Sequence, residues 1–153
     1  MKIILWSGTV FTSFKILFLN TTRAGKEKYN IVRKFSLVIL ILFFLSAGVN
    51  HFLNPEMYLP IMPPYIPNPF LIINLSGLFE IVFSVLLIFK QSRKFAAYSL
   101  VVLLILFIPA HIHHVHISSC IGDKICFPLI AAWLRLLVIH PLLIIWVWTN
   151  KEI

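Results

Sequence analysis

FSLVILILFFLSAGVNHFL, residues 35–53, holds no Asp, Glu, Lys or Arg, and none occurs anywhere between Lys34 and Glu56. Coiled as an α-helix, nineteen residues reach about 28 Å, close to the ~30 Å of a bilayer's hydrocarbon core. Working outward, three further runs have the same character. Residues 70–89 are interrupted only by Glu80, residues 95–114 turn polar only at their end, and residues 129–148 are interrupted only by Arg135. Each is apolar around most of its circumference, which excludes a water-facing amphipathic helix. The expected fold is therefore all-α: an integral membrane four-helix bundle over residues 35–148. A basic extension (1–34), interfacial or disordered, precedes it, and a short tail (149–153) follows.

Composition points the same way. The 153-residue chain is 60% hydrophobic and 12% charged, against roughly 25% charged residues in soluble domains, so the lipid bilayer is its expected partner. A net charge of +8 raises the question of nucleic acid. The Lys and Arg residues bracket apolar runs instead of forming a stripe on one surface, so no nucleic-acid partner is expected.

Their placement gives an orientation, because cytoplasmic flanks carry the excess of Lys and Arg. Arg23, Lys26, Lys28, Arg33 and Lys34 precede the first run, Lys90, Arg93 and Lys94 join the second to the third, and Lys151 follows the fourth. The two other connections contain only Lys124, next to Asp123. Both termini are thus expected on the cytoplasmic side. The five residues 90–94 make the second and third spans an antiparallel hairpin. The first outer connection carries Pro55, Pro60, Pro63, Pro64, Pro67 and Pro69. Proline at that density forbids a regular helix, and the apolar residues between suggest an extended cap on the membrane interface, with Tyr58 and Tyr65 at headgroup level. Residues 1–22 read as an interfacial helix or disordered extension in preference to a cleaved signal peptide, whose apolar core would be longer.

A charge at the bilayer centre costs at least about 2.5 kcal/mol, so an intramembrane ionisable residue has a partner or a purpose. Glu80 and Arg135 fall at similar depth in their spans and are expected to meet, either as an ion pair locking the second span to the fourth or as parts of a polar pocket. Asn50 and His51 close the first span. His111, His113, His114 and His116 close the third, just after Pro109. The candidate ligand pocket is Asn50, His51, Glu80, His111 and Arg135. For His113 and His116 interfacial solvation is the simpler role, and His140, beside Pro141, suits the satisfaction of backbone groups in the core. The spacing of the histidines with Cys120 and Cys126 matches no zinc signature, so no metal is expected. In an oxidising compartment a Cys120–Cys126 disulfide is the simpler outcome.

Several of these residues sit in ordered motifs: Ala47-Gly48-Val49-Asn50-His51-Phe52 with Asn54-Pro55, Met62-Pro63-Pro64, Leu75-Ser76-Gly77 with Glu80, Pro109-Ala110-His111, and Trp133-Leu134-Arg135-Leu136. Taken together they resemble the DoxX-like family of small bacterial four-helix membrane proteins, over residues 35–148. The last span departs from that pattern, with Leu137, Val138, Ile139 and His140 where a proline and a glutamine often follow the arginine. The resemblance implies a bacterial inner-membrane protein. Some relatives are subunits of a thiosulfate:quinone oxidoreductase, and another is linked to a membrane thiol-redox complex. The expected function is a redox-associated subunit, with or without catalysis of its own, whose pocket takes a quinone or other small lipophilic ligand. A redox partner protein supplies electrons, since no nucleotide loop or haem motif is present, and a homo-oligomer is compatible with this. A non-enzymatic scaffold subunit is the alternative, and a small transporter a third.

Overall fold

A computed structural model describes the backbone of residues 6–117, 120–121, 125–126 and 129–152, and the side chains of 25–116 and 129–152. The elements are α1 (Trp6–Leu53), two short 3-10 turns (Pro55–Met57 and Leu59–Ile61), α2 (Pro69–Leu86), α3 (Arg93–Ile117), the strand pair β1 (Cys120–Ile121) and β2 (Ile125–Cys126), α4 (Leu129–Leu134), a π-helical turn (Arg135–Ile139) and α5 (His140–Asn150). Among the described residues four segments are long and apolar enough to cross a membrane: Gly25–Leu53, Pro69–Leu86, Arg93–His116 and Leu129–Asn150. The chain is a helical, multi-pass membrane protein.

Two compact units divide between Ser36 and Leu37. In the first, backbone described from Trp6 onward is helical, and the Arg33 guanidinium lies 5.5 Å from the centre of the Tyr29 ring. The second unit, Leu37–Ile153, holds the core and the candidate site. Its hydrophobic cluster takes Leu40 and Phe44 from α1, Leu87 beyond the end of α2, Ala96, Ala97, Leu100 and Leu104 from α3, and Val147 from α5. The paired alanines at the start of α3 let neighbouring helices come close. Large apolar side chains on the outside of this unit, such as Leu42, Leu106, Ile130 and Leu142, remain exposed, as lipid-facing positions do.

The hairpin between α2 and α3 closes through its polar residues. A helix leaves its last carbonyls without intrahelical donors. Here Ser92 Oγ donates to the Leu86 carbonyl (2.8 Å), and Arg93 donates through Nε to Leu87 (2.8 Å) and through a terminal nitrogen to Ile88 (3.0 Å). Arg93 is buried as a result, and α2 stops at Leu86, three residues short of the expected 89. At the same end Lys94 Nζ lies 3.5 Å from a Glu152 oxygen, and Lys151 Nζ sits 3.2 Å from the centre of the Trp148 ring. The α2–α3 turn and the C-terminus therefore share a face of the bundle.

At the opposite end the proline-rich connection is not extended. Pro55 opens one 3-10 turn and Pro60 lies in the other, because a ring that fixes φ near −65° suits the first turn of a helix, where its missing N–H costs nothing. Asn68 takes a left-handed conformation (φ 49°, ψ 60°) immediately before α2 opens with Pro69, a geometry that asparagine tolerates better than most residues. The fourth span is broken in its middle: the His140 N–H reaches back five residues to the Arg135 carbonyl. Pro141 has no N–H to offer the Leu137 carbonyl and its ring crowds that oxygen, so the wider turn relieves the conflict. Residues 1–5 and the Cys120 and Cys126 side chains lie outside the described residues. The backbone register places Cys120 opposite Cys126.

Candidate functional site

The site begins with two glycines. A Cβ built on Gly77 would lie 2.6 Å from the His51 Cβ and 2.8 Å from the Gly48 carbonyl oxygen. One built on Gly48 would lie 2.7 Å from the Gly77 carbonyl oxygen and 2.8 Å from Ile81 Cγ1. α1 and α2 thus touch backbone to backbone, the contact that small residues permit between membrane helices. One turn beyond Gly48 stands His51, and beside Gly77 stand Ser76 and Glu80, so the crossing delivers all three to one place.

There, His51 Nδ1 is 3.3 Å from Ser76 Oγ, whose hydroxyl donates to the Ile73 carbonyl at 2.7 Å. The other ring nitrogen, Nε2, is 3.7 Å from Glu80 Oε2. Tyr58 covers His51 from outside, its ring stacked at 4.0 Å and 14°, and its hydroxyl accepts a 2.6 Å hydrogen bond from Asn50 Nδ2. Asn54 donates in turn to Asn50 Oδ1 (2.7 Å). Asn50 is not among the residues lining the cavity: it holds Tyr58 against His51 instead. Tyr58 is half-buried against His51, whereas Tyr65 is exposed.

These groups open on a cavity of about 330 Å³. Its walls are mostly apolar, with Phe43 and Phe44 from α1, Leu104 and Phe107 from α3, Leu143 from α5 and Ile61 and Met62 from the proline-rich connection. Polar groups reach it from every span: His51 from the first, Ser76 and Glu80 from the second, His111 from the third, Arg135 and His140 from the fourth. His140 Nε2 lies 2.8 Å from the Leu104 carbonyl, in the turn preceding Pro109, and its ring meets His111 edge to face at 4.8 Å. His140 thus bonds the backbone of a different span and also faces the cavity, a dual role that its position beside Pro141 did not signal.

The expected Glu80–Arg135 ion pair does not form. Among the described residues Arg135 makes no hydrogen bond and no ion pair within 4.0 Å, and the ionisable partner that Glu80 approaches is His51. Glu80 and Arg135 remain near enough to attract each other electrostatically across the cavity. The reason lies in the π turn: an apolar helix can present its arginine at any azimuth, and the extra residue in the turn aims Arg135 at the cavity. Such turns recur at functional sites.

Among the described residues three buried atoms in this region have no hydrogen-bond partner: Glu80 Oε2, His111 Nδ1 and His114 Nε2. Leaving a buried polar atom unsatisfied costs about 1–3 kcal/mol, and each such atom calls for a physical account. His114 is buried but does not line the cavity, whereas His113 is half-buried and His116 exposed. No group of three His, Cys, Asp or Glu side chains that could hold a metal ion occurs among the described residues.

Fold and site together define a multi-pass four-helix membrane protein with a mostly apolar cavity into which ionisable residues from all four spans project. Residues 40–151 match the family described as Domain of unknown function (DUF8561), and the chain belongs to that family. The match takes in every residue that lines the cavity. Comparison with curated proteins and with solved structures returns no match.

Proposed function

We propose that this protein binds a small lipophilic molecule with an oxygen-bearing polar head, a quinone foremost, and serves as a subunit of a membrane redox system. The observation that carries this reading is Arg135, a cation inside a membrane-spanning segment that makes no hydrogen bond or ion pair among the described residues and faces a cavity. An arginine kept only to hold helices together needs a paired carboxylate to offset its desolvation. One kept for a ligand is left open until the ligand arrives. At about 330 Å³ the cavity falls at the small end of the ~300–1,000 Å³ of small-molecule sites, and its apolar wall with few convergent polar groups is their usual composition.

In this proposal the ring of the ligand lies among Phe43, Phe44 and Phe107, its head meets Arg135, and His51 or Glu80 exchanges its proton. The likeness of the motifs around His51, Ser76, Glu80 and Arg135 to the DoxX-like family supports a bacterial inner-membrane setting and a quinone-linked partner protein. The distribution of Lys and Arg supports cytoplasmic termini. The cavity then belongs to the outer half of the bilayer, under the proline-rich connection.

The test is extraction of the purified protein, followed by mass spectrometry of wild type and Glu80→Gln side by side. A lipid-soluble ligand carried by wild type and depleted in the variant supports the proposal. If both samples are empty and neither added quinone nor added quinol produces a signal in either, the scaffold reading takes its place.

A further inference from the structure

The hydrogen bonds behind the cavity wall determine which atoms of its histidines carry protons, and so the polarity of the ligand. A hydroxyl has one proton. The Ser76 hydroxyl uses it on the Ile73 carbonyl, 2.7 Å away, since a carbonyl only accepts. The 3.3 Å contact between Ser76 Oγ and His51 Nδ1 therefore has the ring N–H donating to the hydroxyl oxygen. In the neutral imidazole the proton is then on Nδ1, and Nε2 presents a lone pair. Glu80 Oε2 at 3.7 Å is too far to fill it with a hydrogen bond.

His140 gives the same answer from the opposite wall. Its Nε2 lies 2.8 Å from the Leu104 carbonyl, so Nε2 carries the proton and Nδ1 presents the lone pair. Both side chains line the cavity, which therefore offers two fixed imidazole acceptors together with the Arg135 guanidinium as donor; Tyr58, Glu80 and His111 also line it, and their polarity is not fixed in this way.

We infer that the cavity takes the hydroxyl-bearing form of its ligand, an aromatic diol of the hydroquinone type, in preference to the corresponding carbonyl form. The inference rests on reading the cavity as a ligand site and adds the ligand's polarity. A diol donates its hydroxyl protons to the imidazole lone pairs while its oxygens accept from Arg135. A quinone has only acceptors, so whichever donors serve its carbonyls, both imidazole nitrogens stay unpaired. One unpaired buried acceptor weakens binding by about tenfold or more.

The experiment is anaerobic titration calorimetry on the wild-type protein in nanodiscs with three probes that share ring and tail: decylubiquinol, decylubiquinone and the dimethyl ether of the quinol. The quinol binds at least about tenfold more tightly than the other two if the inference holds. Equal affinities, or a tighter quinone, overturn it while leaving the proposed function standing. No binding of any probe overturns both. In His51→Gln, whose amide presents either a donor or an acceptor, the ratio of quinol to quinone affinity falls to within about threefold of one. A general loosening of the fold lowers both affinities without moving their ratio, so an unchanged ratio in this variant removes His51 as the discriminating group.

Discussion

Replacing Gly77 by alanine tests whether the α1–α2 crossing builds the site. The added methyl would lie 2.6 Å from the His51 Cβ and 2.8 Å from the Gly48 carbonyl oxygen, while unstrained carbon contacts lie at about 3.5–4.0 Å. Both obstacles are backbone or Cβ atoms, which no rotamer change can move, so the helices must separate locally by about 1 Å. Overpacking of this kind costs about 1–3 kcal/mol, partly masked by the ~1 kcal/mol that alanine gains over glycine in a helix interior. Gly25→Ala supplies the correction, because nothing lies within 4 Å of a Cβ at that position. The two variants should therefore differ by about 1–3 kcal/mol in mixed-micelle unfolding followed by tryptophan fluorescence. The same separation breaks the 3.3 Å contact between Ser76 and His51, so ligand binding falls with stability. Gly48→Ala should act alike, and the double variant should cost less than the sum, because one separation of the helices relieves both clashes. A Gly77→Ala protein at least as stable as Gly25→Ala, with binding intact, would refute the close crossing and the construction of the site built on it.

Other outcomes follow from single features. Arg135→Leu should leave stability unchanged or raised, since among the described residues the guanidinium has no hydrogen bond or ion pair to lose, yet abolish quinol binding; marked destabilisation in the same unfolding assay would mean the charge is structural. Cys120 and Cys126, opposite each other in the β1–β2 register, should resist a mass-tagging maleimide until a reductant is added, and labelling without reductant would show free thiols. Reporter fusions after Glu152 and within the Lys90–Lys94 turn should respond as cytoplasmic, on the strength of their charge and of the Lys94–Glu152 contact at 3.5 Å. A fusion within residues 54–68 should respond as external, and the reverse pattern would invert the proposed orientation.

Hydropathy is a sum along the chain, and what depends on that sum was legible. The end of the first span, the start of the second and both ends of the third and fourth could be placed within a few residues, because a run without charges is needed to cross lipid however its helix is rotated, whereas the first span begins ten residues before the expected Phe35. The ends were less legible where side chains decide them. Arg93 read as a flanking charge, but its donors fit the open carbonyls of Leu87 and Ile88, and that capping shortens α2. The proline-rich connection read as extended because proline breaks helices. It forms 3-10 turns because Pro55 stands where a first turn needs no N–H.

The partner of Glu80 was the least legible feature, for a reason that applies to apolar helices in general. On an amphipathic helix the hydrophobic stripe fixes which way each residue faces. On a helix that is apolar all round no such stripe exists, so depth can be counted from the sequence while azimuth cannot. Two local devices set the azimuth here. The glycines at positions 48 and 77 rotate α1 and α2 until His51 faces Glu80, and the π turn before Pro141 rotates Arg135 into the cavity without handing it to the carboxylate. Matching depth made an ion pair the natural expectation, since charges at one level in lipid are driven together. Holding them apart leaves Arg135 and the imidazoles of His51 and His140 with hydrogen-bonding capacity directed at the cavity, and that unspent capacity is what a ligand of complementary polarity would use.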